Sequence, residues 1–219
     1  MNRNQHIDLK VARKIKPYHL AISKYLGSSV ERANIADVGS GRGELISLIL
    51  EESPSANIFA LDYDPECLKL SKAAGARKGY RFDINEPRTY PKIQADVVIL
   101  SHVLEHTHNP MLVLQSLIEM VKPGGRLIVA VPNPTRPTVF FGNFMKSHYV
   151  NKGHCYAWDP SHWKNFLEEI MGLKVETYFS DQVLWFKGPI GRILAKVTGS
   201  WFAKKFPWLG FSNIAVIRI

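Results

Sequence analysis

The chain has 219 residues, of which 46% are hydrophobic and 21% are charged. This composition provides enough apolar material for a buried core and excludes a wholly disordered chain. Its 28 Lys and Arg against 19 Asp and Glu leave a net charge of +9, which suits an anionic partner such as nucleic acid, a membrane surface or a phosphorylated substrate. Cys67 and Cys155 are too few for a disulfide scaffold or a thiolate zinc site. No apolar run reaches the roughly 18–20 residues of a membrane span, and the N-terminus lacks a signal-peptide pattern, so we expect a cytoplasmic protein.

Apolar runs alternate with helical patterns over residues 17–131. Helices are predicted over 17–26, 44–52 and 110–120, and another begins at Pro65 behind the cap Asp64. Strands are predicted over 34–38, 57–61, 79–82, 95–100 and 126–131, the last of them after the turn Pro123-Gly124-Gly125. The run ADVVIL at 95–100 is typical of a parallel strand that is covered on both faces. Alternating strands and helices imply right-handed βαβ units, and therefore an α/β fold with a doubly wound parallel sheet.

The alternation ends after residue 132. Residues 132–157 are rich in Pro, Asn, Gly and aromatic residues, and we expect an irregular cover over the substrate end of the sheet. A helix capped by Asp159 is predicted to reach Met171 and to stop at Gly172. Strands are predicted over 173–179 and 213–219, with a basic, aromatic insertion over 184–211 between them. We interpret residues 1–219 as one domain, of which residues 1–30 form an N-terminal helical segment.

Three predicted strands end in residues that suit a cofactor, and ligands of an open α/β sheet bind beyond the carboxyl ends of its strands. The first ends in DVGSGRG (37–43), whose glycines allow a tight turn and the close approach of a ligand. Asp62 ends the second strand, where it can accept both hydrogen bonds of a ribose diol, and Asp83 follows the third, near an adenine amino group. Glu44 occupies the third-glycine position of a dinucleotide fingerprint. Asp37 suits a cofactor with an α-amino group and a sulfonium better than it suits a pyrophosphate.

Five segments resemble the class I S-adenosylmethionine-dependent methyltransferases: ADVGSGRGEL, FALDYDPECL, FDINE, ADVVILSHVLEH and VKPGGRLIVAVPN. The likeness is greatest to the branch that includes the ubiquinone-biosynthesis O-methyltransferases. It implies a Rossmann-like, mostly parallel seven-stranded sheet with an antiparallel last strand, and S-adenosylmethionine as the cofactor. It also implies that Gly39 and Gly41 contact the methionine moiety, and that Ser101 lies near the methyl group. The whole predicted cofactor-binding set is Asp37, Gly39, Ser40, Gly41, Asp62, Tyr63, Asp83, Ile84 and Ser101.

The exit of the fourth predicted strand, SHVLEHTH (101–108), is dense in titratable side chains. Methyl transfer is an in-line displacement, so the enzyme must align the acceptor and, for a hydroxyl or amine, remove its proton with a base within hydrogen-bond reach. The candidate catalytic residues are His102, Glu105, His106 and, in the cover segment, His154. We favour His102 as the base because it follows Ser101 directly at the mouth of the strand. For Glu105, His106 and His154, a purely structural role is as open as a catalytic one.

No metal ion is expected at this exit. The string H-x-x-E-H at 102–106 matches a zinc-peptidase pattern, but that pattern needs a continuous helix and this segment leaves a strand. Some ubiquinone and small-RNA O-methyltransferases resemble this stretch with E-x-x-E-H, whose side chains hold a divalent ion. Here His102 replaces the first acid.

The insertion over 184–211 leaves three interpretations open. Ile190, Ile193, Leu194 and Val197 share a helical face, which suits a helical hairpin packed on the sheet or on a second subunit, or an interfacial helix that recruits an amphiphilic substrate. Its aromatic and basic residues also suit nucleic acid. We therefore predict a methyltransferase for a small-molecule or lipid-linked acceptor, with oxygen favoured as the acceptor atom. The enzyme is expected to be a monomer or a homodimer, and peripheral contact with a membrane is possible. The alternatives are an RNA methyltransferase that uses the basic surface and a non-catalytic cofactor-binding protein.

Overall fold

The computed structural model describes residues 15–136, 139, 151–183, 190, 193, 197 and 200–219. The strands are β1 (Asn34–Val38), β2 (Asn57–Asp62), β3 (Lys78–Arg81), β4 (Ala95–Ser101), β5 (Val121–Pro132), β6 (Val175–Ser180) and β7 (Ser212–Arg218). The α-helices with assigned bounds are α1 (Pro17–Leu26), α2 (Glu44–Glu52), α3 (Pro65–Ala73), α4 (Pro110–Ile118), α5 (Pro160–Asn165) and α6 (Ser200–Lys205). Short 3₁₀ turns cover Gly27–Val30, Pro87–Thr89, Leu104–His106 and Pro207–Leu209.

The strands form a seven-stranded sheet in the order β3-β2-β1-β4-β5-β7-β6. The pairs from β3 to β5 are parallel, whereas β7 runs antiparallel to both β5 and β6. The strand order reverses between β1 and β4, which is where a doubly wound sheet opens a crevice for ligands. The predicted fold, including the antiparallel last strand, is confirmed.

Side-chain caps begin three of the helices around the sheet. The carboxylate of Asp64 accepts the Glu66 N–H at 2.9 Å at the start of α3, and the side chain of Asn109 accepts the Leu112 N–H at 3.1 Å at the start of α4. Asp159 caps α5 in the same way, as predicted. These bonds satisfy backbone donors that have no partner within the first helical turn.

Two elements differ from their prediction by more than two residues or in helix type, whereas the other bounds agree to within two residues. β5 begins at Val121 because residues 122–125 loop out of the ladder, so that Ala95 pairs with Val121 and Val97 with Arg126. The helix after Asp159 is α-helical only as far as its sixth residue and continues as one π-helical turn, Phe166–Ile170. The pattern of apolar residues in the sequence does not distinguish a turn that loops out of a strand from the start of that strand. It also does not distinguish a π-helical turn from an α-helical one.

Both faces of the sheet are covered. α1 and α2 pack with one set of strand side chains, and α4 and α5 pack with the other. The central strands are buried throughout, which explains their uninterrupted apolar sequences: every residue of 97–100 and 127–131 is at most 4% exposed. No helix in the described parts of the chain is long and apolar enough to cross a membrane.

Candidate active site

The turn after β1 requires glycine. Gly39, Gly41 and Gly43 have φ values of +71°, +53° and +81°, in the left-handed region that side chains disfavour. A Cβ on Gly39 would also lie 2.3 Å from Cγ2 of Val103. The turn therefore packs directly against the segment that follows β4 and carries the predicted catalytic residues His102, Glu105 and His106.

Two buried polar atoms beside this turn have no hydrogen-bond partner among the described residues: Oδ2 of Asp37 and Oγ of Ser101. Burial, with the charges of Asp62 and Glu44, raises the pKa of Asp37 to about 7. A buried carboxyl group without a partner is costly unless a ligand supplies a donor or a positive charge. The cationic amino group and sulfonium of S-adenosylmethionine supply these, so the residues present fit that cofactor.

Asp62 ends β2 beside the glycine turn. Its Oδ2 accepts the Gly41 N–H at 2.9 Å, and its Oδ1 accepts the Asp64 N–H at 2.9 Å. Each carboxylate oxygen has two lone pairs, so both retain one for a ribose hydroxyl. The neighbouring Tyr63 is exposed, with the guanidinium of Arg81 5.5 Å from its ring centre. The binding roles of Asp62 and Tyr63 stay predictions.

Asp83 and Ile84 lie in the loop after β3. The carboxylate of Asp83 caps the turn that follows it, and the carbonyl of Ile84 accepts the Tyr90 hydroxyl at 2.7 Å. Ser40 has its hydroxyl 3.0 Å from that of Ser71, so its side chain is engaged with the protein itself. The contributions of these three residues to cofactor binding also stay predictions.

His102 is the first residue beyond β4, with φ +55°. Its side chain is 14% exposed, and its ring stacks on that of Tyr18 at a centroid distance of 3.9 Å, with Phe211 at 6.1 Å. The pKa of His102 is lowered well below its ordinary value, mainly by burial and secondly by the positive charge of Arg136. The imidazole is therefore neutral at pH 7.

A buried pair, Asp181 and Ser212, determines which nitrogen of His102 carries the proton. Oγ of Ser212 lies 2.8 Å from Nε2 of His102 and 3.0 Å from Oδ2 of Asp181. Burial raises the pKa of Asp181 to about 6, so at pH 7 it is a carboxylate and the Ser212 hydroxyl donates to it. Nε2–H of His102 then donates to Oγ of Ser212. The lone pair is left on Nδ1, which lies 3.7 Å from Oε1 of Glu105.

Glu105 lies between two histidines and is 1% exposed. Its Oε1 is 3.7 Å from Nδ1 of His102 and 3.9 Å from Nε2 of His106, and its Oε2 has no hydrogen-bond partner in the described chain. Burial raises the pKa of Glu105 to about 7. A carboxyl group that titrates near neutrality can either donate or accept a proton.

The cover segment reaches this cluster through residues 151–157. The Cys155 N–H donates to the Glu105 carbonyl at 2.8 Å, and the Gly153 carbonyl lies 2.9 Å from Nδ1 of His106. The rings of His106 and His154 meet edge to face at 4.6 Å. The structure thus brings together the four side chains that were predicted to be catalytic. The rest of the predicted cover, 137–138 and 140–150, lies outside the described residues.

Three of these side chains could hold a metal ion. Glu105, His106 and His154 each offer one ligand atom, and these atoms lie within 4.8 Å of one another. One carboxylate and two imidazoles suit a divalent transition metal. His102 is not part of this group, and its Nε2 lies 2.8 Å from Oγ of Ser212. Independence of a metal stays a prediction.

Sequence analysis missed five residues that surround His102: Tyr18, Arg136, Asp181, Phe211 and Ser212. No motif marks them, because α1, the ends of β5 and β6 and the start of β7 meet only in the folded sheet. One signal was available. An antiparallel last strand must begin at the edge where its parallel neighbours end, which places Phe211 and Ser212 at the carboxyl edge.

Comparison with known proteins identifies the family. A family model for a methyltransferase domain matches residues 7–178. The chain belongs to this family. A ubiquinone biosynthesis O-methyltransferase of Xylella fastidiosa (strain M23) is 24% identical to this methyltransferase over 169 residues, which covers 68% of each chain.

Solved structures share the fold of this methyltransferase. A chain in the complex between the Haloferax volcanii Trm112 methyltransferase activator and the putative methyltransferase aligns with a TM-score of 0.67 and 16% identity, over 96% of this chain and 94% of that one. A SAM-dependent methyltransferase from Archaeoglobus fulgidus aligns with a TM-score of 0.60 and 20% identity, over 97% and 94%. The family and the fold together define a class I S-adenosylmethionine-dependent methyltransferase.

Proposed function

We propose that this methyltransferase methylates a hydroxyl oxygen of a small-molecule or lipid-linked acceptor. The observation that carries the proposal is His102, a neutral imidazole at the mouth of β4 with its lone pair on Nδ1. When bound, S-adenosylmethionine supplies a methyl group that is already activated by the sulfonium. A hydroxyl acceptor must lose its proton as it is methylated, and a neutral imidazole next to the cofactor turn can take that proton.

Burial and the charge of Arg136 oppose protonation of His102, and two nearby carboxyl groups offset part of this cost once a proton is transferred. Protonation at Nδ1 creates an imidazolium whose charge faces Oε1 of Glu105 at 3.7 Å. The Nε2–H remains bonded to Ser212, and Asp181 lies behind that hydroxyl. Tyr18 holds the plane of the ring by stacking on it. In this arrangement His102 is the base, and Glu105 and Asp181 stabilise the charge that it acquires.

Transfer of a labelled methyl group into a metabolite and lipid extract, read by mass, tests the proposal. His102→Gln should lower kcat by about 10²–10⁴-fold, the range for loss of a general base, while the affinity for S-adenosylhomocysteine is kept. His162→Gln is the matched control, because His162 is an exposed histidine bonded to Asp159. A product methylated at nitrogen or carbon, or an unchanged kcat in His102→Gln, would contradict the proposal.

The lipid-linked part of the proposal is supported by an exposed apolar stripe, which comprises Ile190, Ile193, Val197 and Trp201. These side chains are 73%, 62%, 75% and 57% exposed, and their spacings of 3, 4 and 4 residues are those of one helical face. Such exposure argues against packing of this face on the sheet. Leu194, which was predicted to share the face, lies outside the described residues.

Charge around the stripe suits an anionic bilayer. From residue 182 to residue 219 the chain has six basic residues and no acidic one. Nζ of Lys205 lies 5.3 Å from the ring centre of Trp201, a pairing that suits the boundary between headgroups and acyl chains. The chain between α6 and β7 is anchored near the end of β5, because the Asn133 side chain donates to the carbonyls of Trp208 and Gly210 at 2.8 and 2.9 Å. Docking of the stripe would hold the site close to a lipid-linked acceptor.

Co-sedimentation with vesicles tests this contact. The protein should bind phosphatidylglycerol vesicles more than phosphatidylcholine vesicles, with a blue shift in tryptophan fluorescence, and added salt should weaken binding without abolishing it. Trp201→Ser should reduce binding, whereas Trp163→Phe, a change of a core tryptophan, should not. Binding to RNA that salt removes almost entirely, without any binding to vesicles, would instead favour the RNA methyltransferase.

A further inference from the structure

Arg136 follows β5 and is partly buried against the site. Its guanidinium lies 3.9 Å above the ring of Phe211, and its Nη1 donates to the Phe211 carbonyl at 3.3 Å. Its Nε is buried without a hydrogen-bond partner among the described residues. The cation is therefore held in place by an aromatic face and one carbonyl, with hydrogen-bonding capacity left over.

No carboxylate of the described chain forms an ion pair with Arg136. The negative charge of Asp181 acts to raise the pKa of Arg136. Both carboxylate oxygens of Asp181, however, already accept hydrogen bonds from Phe211 and Ser212. Residues 137–150 and 184–199, most of which lie outside the described residues, contain no acidic residue in their sequence, and residues 1–14 contain a single one, Asp8. Partial burial of a cation that has no carboxylate partner among the described residues is unfavourable, so an anionic group of a ligand would be stabilised at its free donors.

The position of Arg136 relates that anion to the reaction. Its positive charge contributes to the lowered pKa of both His102 and His154, so it lies close to two of the candidate catalytic side chains. The ring of Phe211 lies beside both Arg136 and His102. The guanidinium and the imidazole are therefore neighbours of the same aromatic ring.

We propose that Arg136 binds an oxyanion of the methyl acceptor, so that the acceptor carries a carboxylate or a phosphate in addition to the hydroxyl that is methylated. This proposal rests on the proposed O-methyltransferase function and specifies its substrate class. A guanidinium binds both anions through two parallel N–H donors, and the unpaired Nε–H is one of the donors available for this geometry.

Calorimetry on protein saturated with S-adenosylhomocysteine tests the proposal with matched probes. 3,4-Dihydroxybenzoate should bind at least tenfold more tightly than its uncharged methyl ester. Arg136→Gln should reduce this preference to less than twofold, and Arg136→Lys, which keeps the charge but not the fork of donors, should retain part of it. Arg77→Gln is the control, because Arg77 is exposed and its side chain donates to Asn57, and it should keep the full preference.

Competition by benzoate and by phenyl phosphate distinguishes the two anions. Displacement of bound 3,4-dihydroxybenzoate by benzoate alone assigns a carboxylate, whereas stronger displacement by phenyl phosphate assigns a phosphate. Equal binding of acid and ester to the unmodified protein overturns the proposal without any variant. A preference that survives in a folded Arg136→Gln protein, as judged by its S-adenosylhomocysteine affinity, also overturns it. A preference for the acid without methyl transfer to any hydroxyl keeps the anion site and refutes the O-methyltransferase function instead.

Discussion

Replacement of Gly39 by alanine should be far more costly than the same change at Gly41, although both residues have positive φ. At Gly41 the nearest atom to a new Cβ is Oε2 of Glu44 at 3.9 Å, an ordinary contact. Gly41→Ala therefore incurs only backbone strain, about 1–2 kcal/mol. At Gly39 the new Cβ would lie 2.3 Å from Cγ2 of Val103, which adds the cost of overpacking, about 1–3 kcal/mol. We expect Gly39→Ala to lower the free energy of unfolding by about 2–5 kcal/mol.

A double-mutant cycle isolates the contact. Val103→Ala removes Cγ2 and leaves the Val103 Cβ, which lies at an acceptable 3.5 Å from the new atom. The double variant should therefore recover about 1–3 kcal/mol relative to the sum of the single changes. Urea unfolding gives the four free energies, and calorimetry with S-adenosylhomocysteine shows whether the turn still binds. Effects that add to within about 0.5 kcal/mol, or equal costs at Gly39 and Gly41, would refute the close approach of this turn to the catalytic segment.

Three further predictions concern the cofactor and the metal. Asp62→Ala should weaken binding of S-adenosylhomocysteine by about 1–3 kcal/mol, and an unchanged calorimetric affinity in the folded variant would contradict the ribose assignment. A cationic ligand selects the carboxylate form of Asp37, whose pKa is about 7, so the affinity for S-adenosylmethionine should rise as pH increases through 7 and level off above it, and Asp37→Asn should flatten this profile. Activity should persist in a chelator; loss of activity that magnesium or another divalent ion restores would contradict independence of a metal and make Glu105, His106 and His154 the candidate ligands.

Residues that act through local chemistry were predictable. Gly39, Gly41 and Gly43 occupy the left-handed positions of the turn after β1, the caps Asp64 and Asp159 mark helix starts, and the run at 95–100 marks a strand that is buried on both faces. Strand ends of a parallel sheet all lie at one edge, so Asp37, Asp62 and the segment after β4 could be assigned to one site without coordinates. These features depend on neighbours within a few residues, and the amino-acid order alone specifies them.

The surroundings of His102 depend on contacts between distant parts of the chain. Ser212 is 110 residues away in sequence, and Tyr18 approaches from a helix that precedes the sheet. The sequence identified His102 as the candidate base. Only the tertiary structure shows which of its ring nitrogens carries the proton, because this depends on Asp181 and Ser212 at the ends of two antiparallel strands. Composition likewise gave the excess positive charge, whereas the folded chain decided that Arg136 is partly buried beside the site without a carboxylate partner among the described residues. Local sequence patterns determine the elements and turns. The packing of the whole sheet decides which remote groups meet, and therefore their pKa values and which hydrogen-bond donors and acceptors stay unpaired.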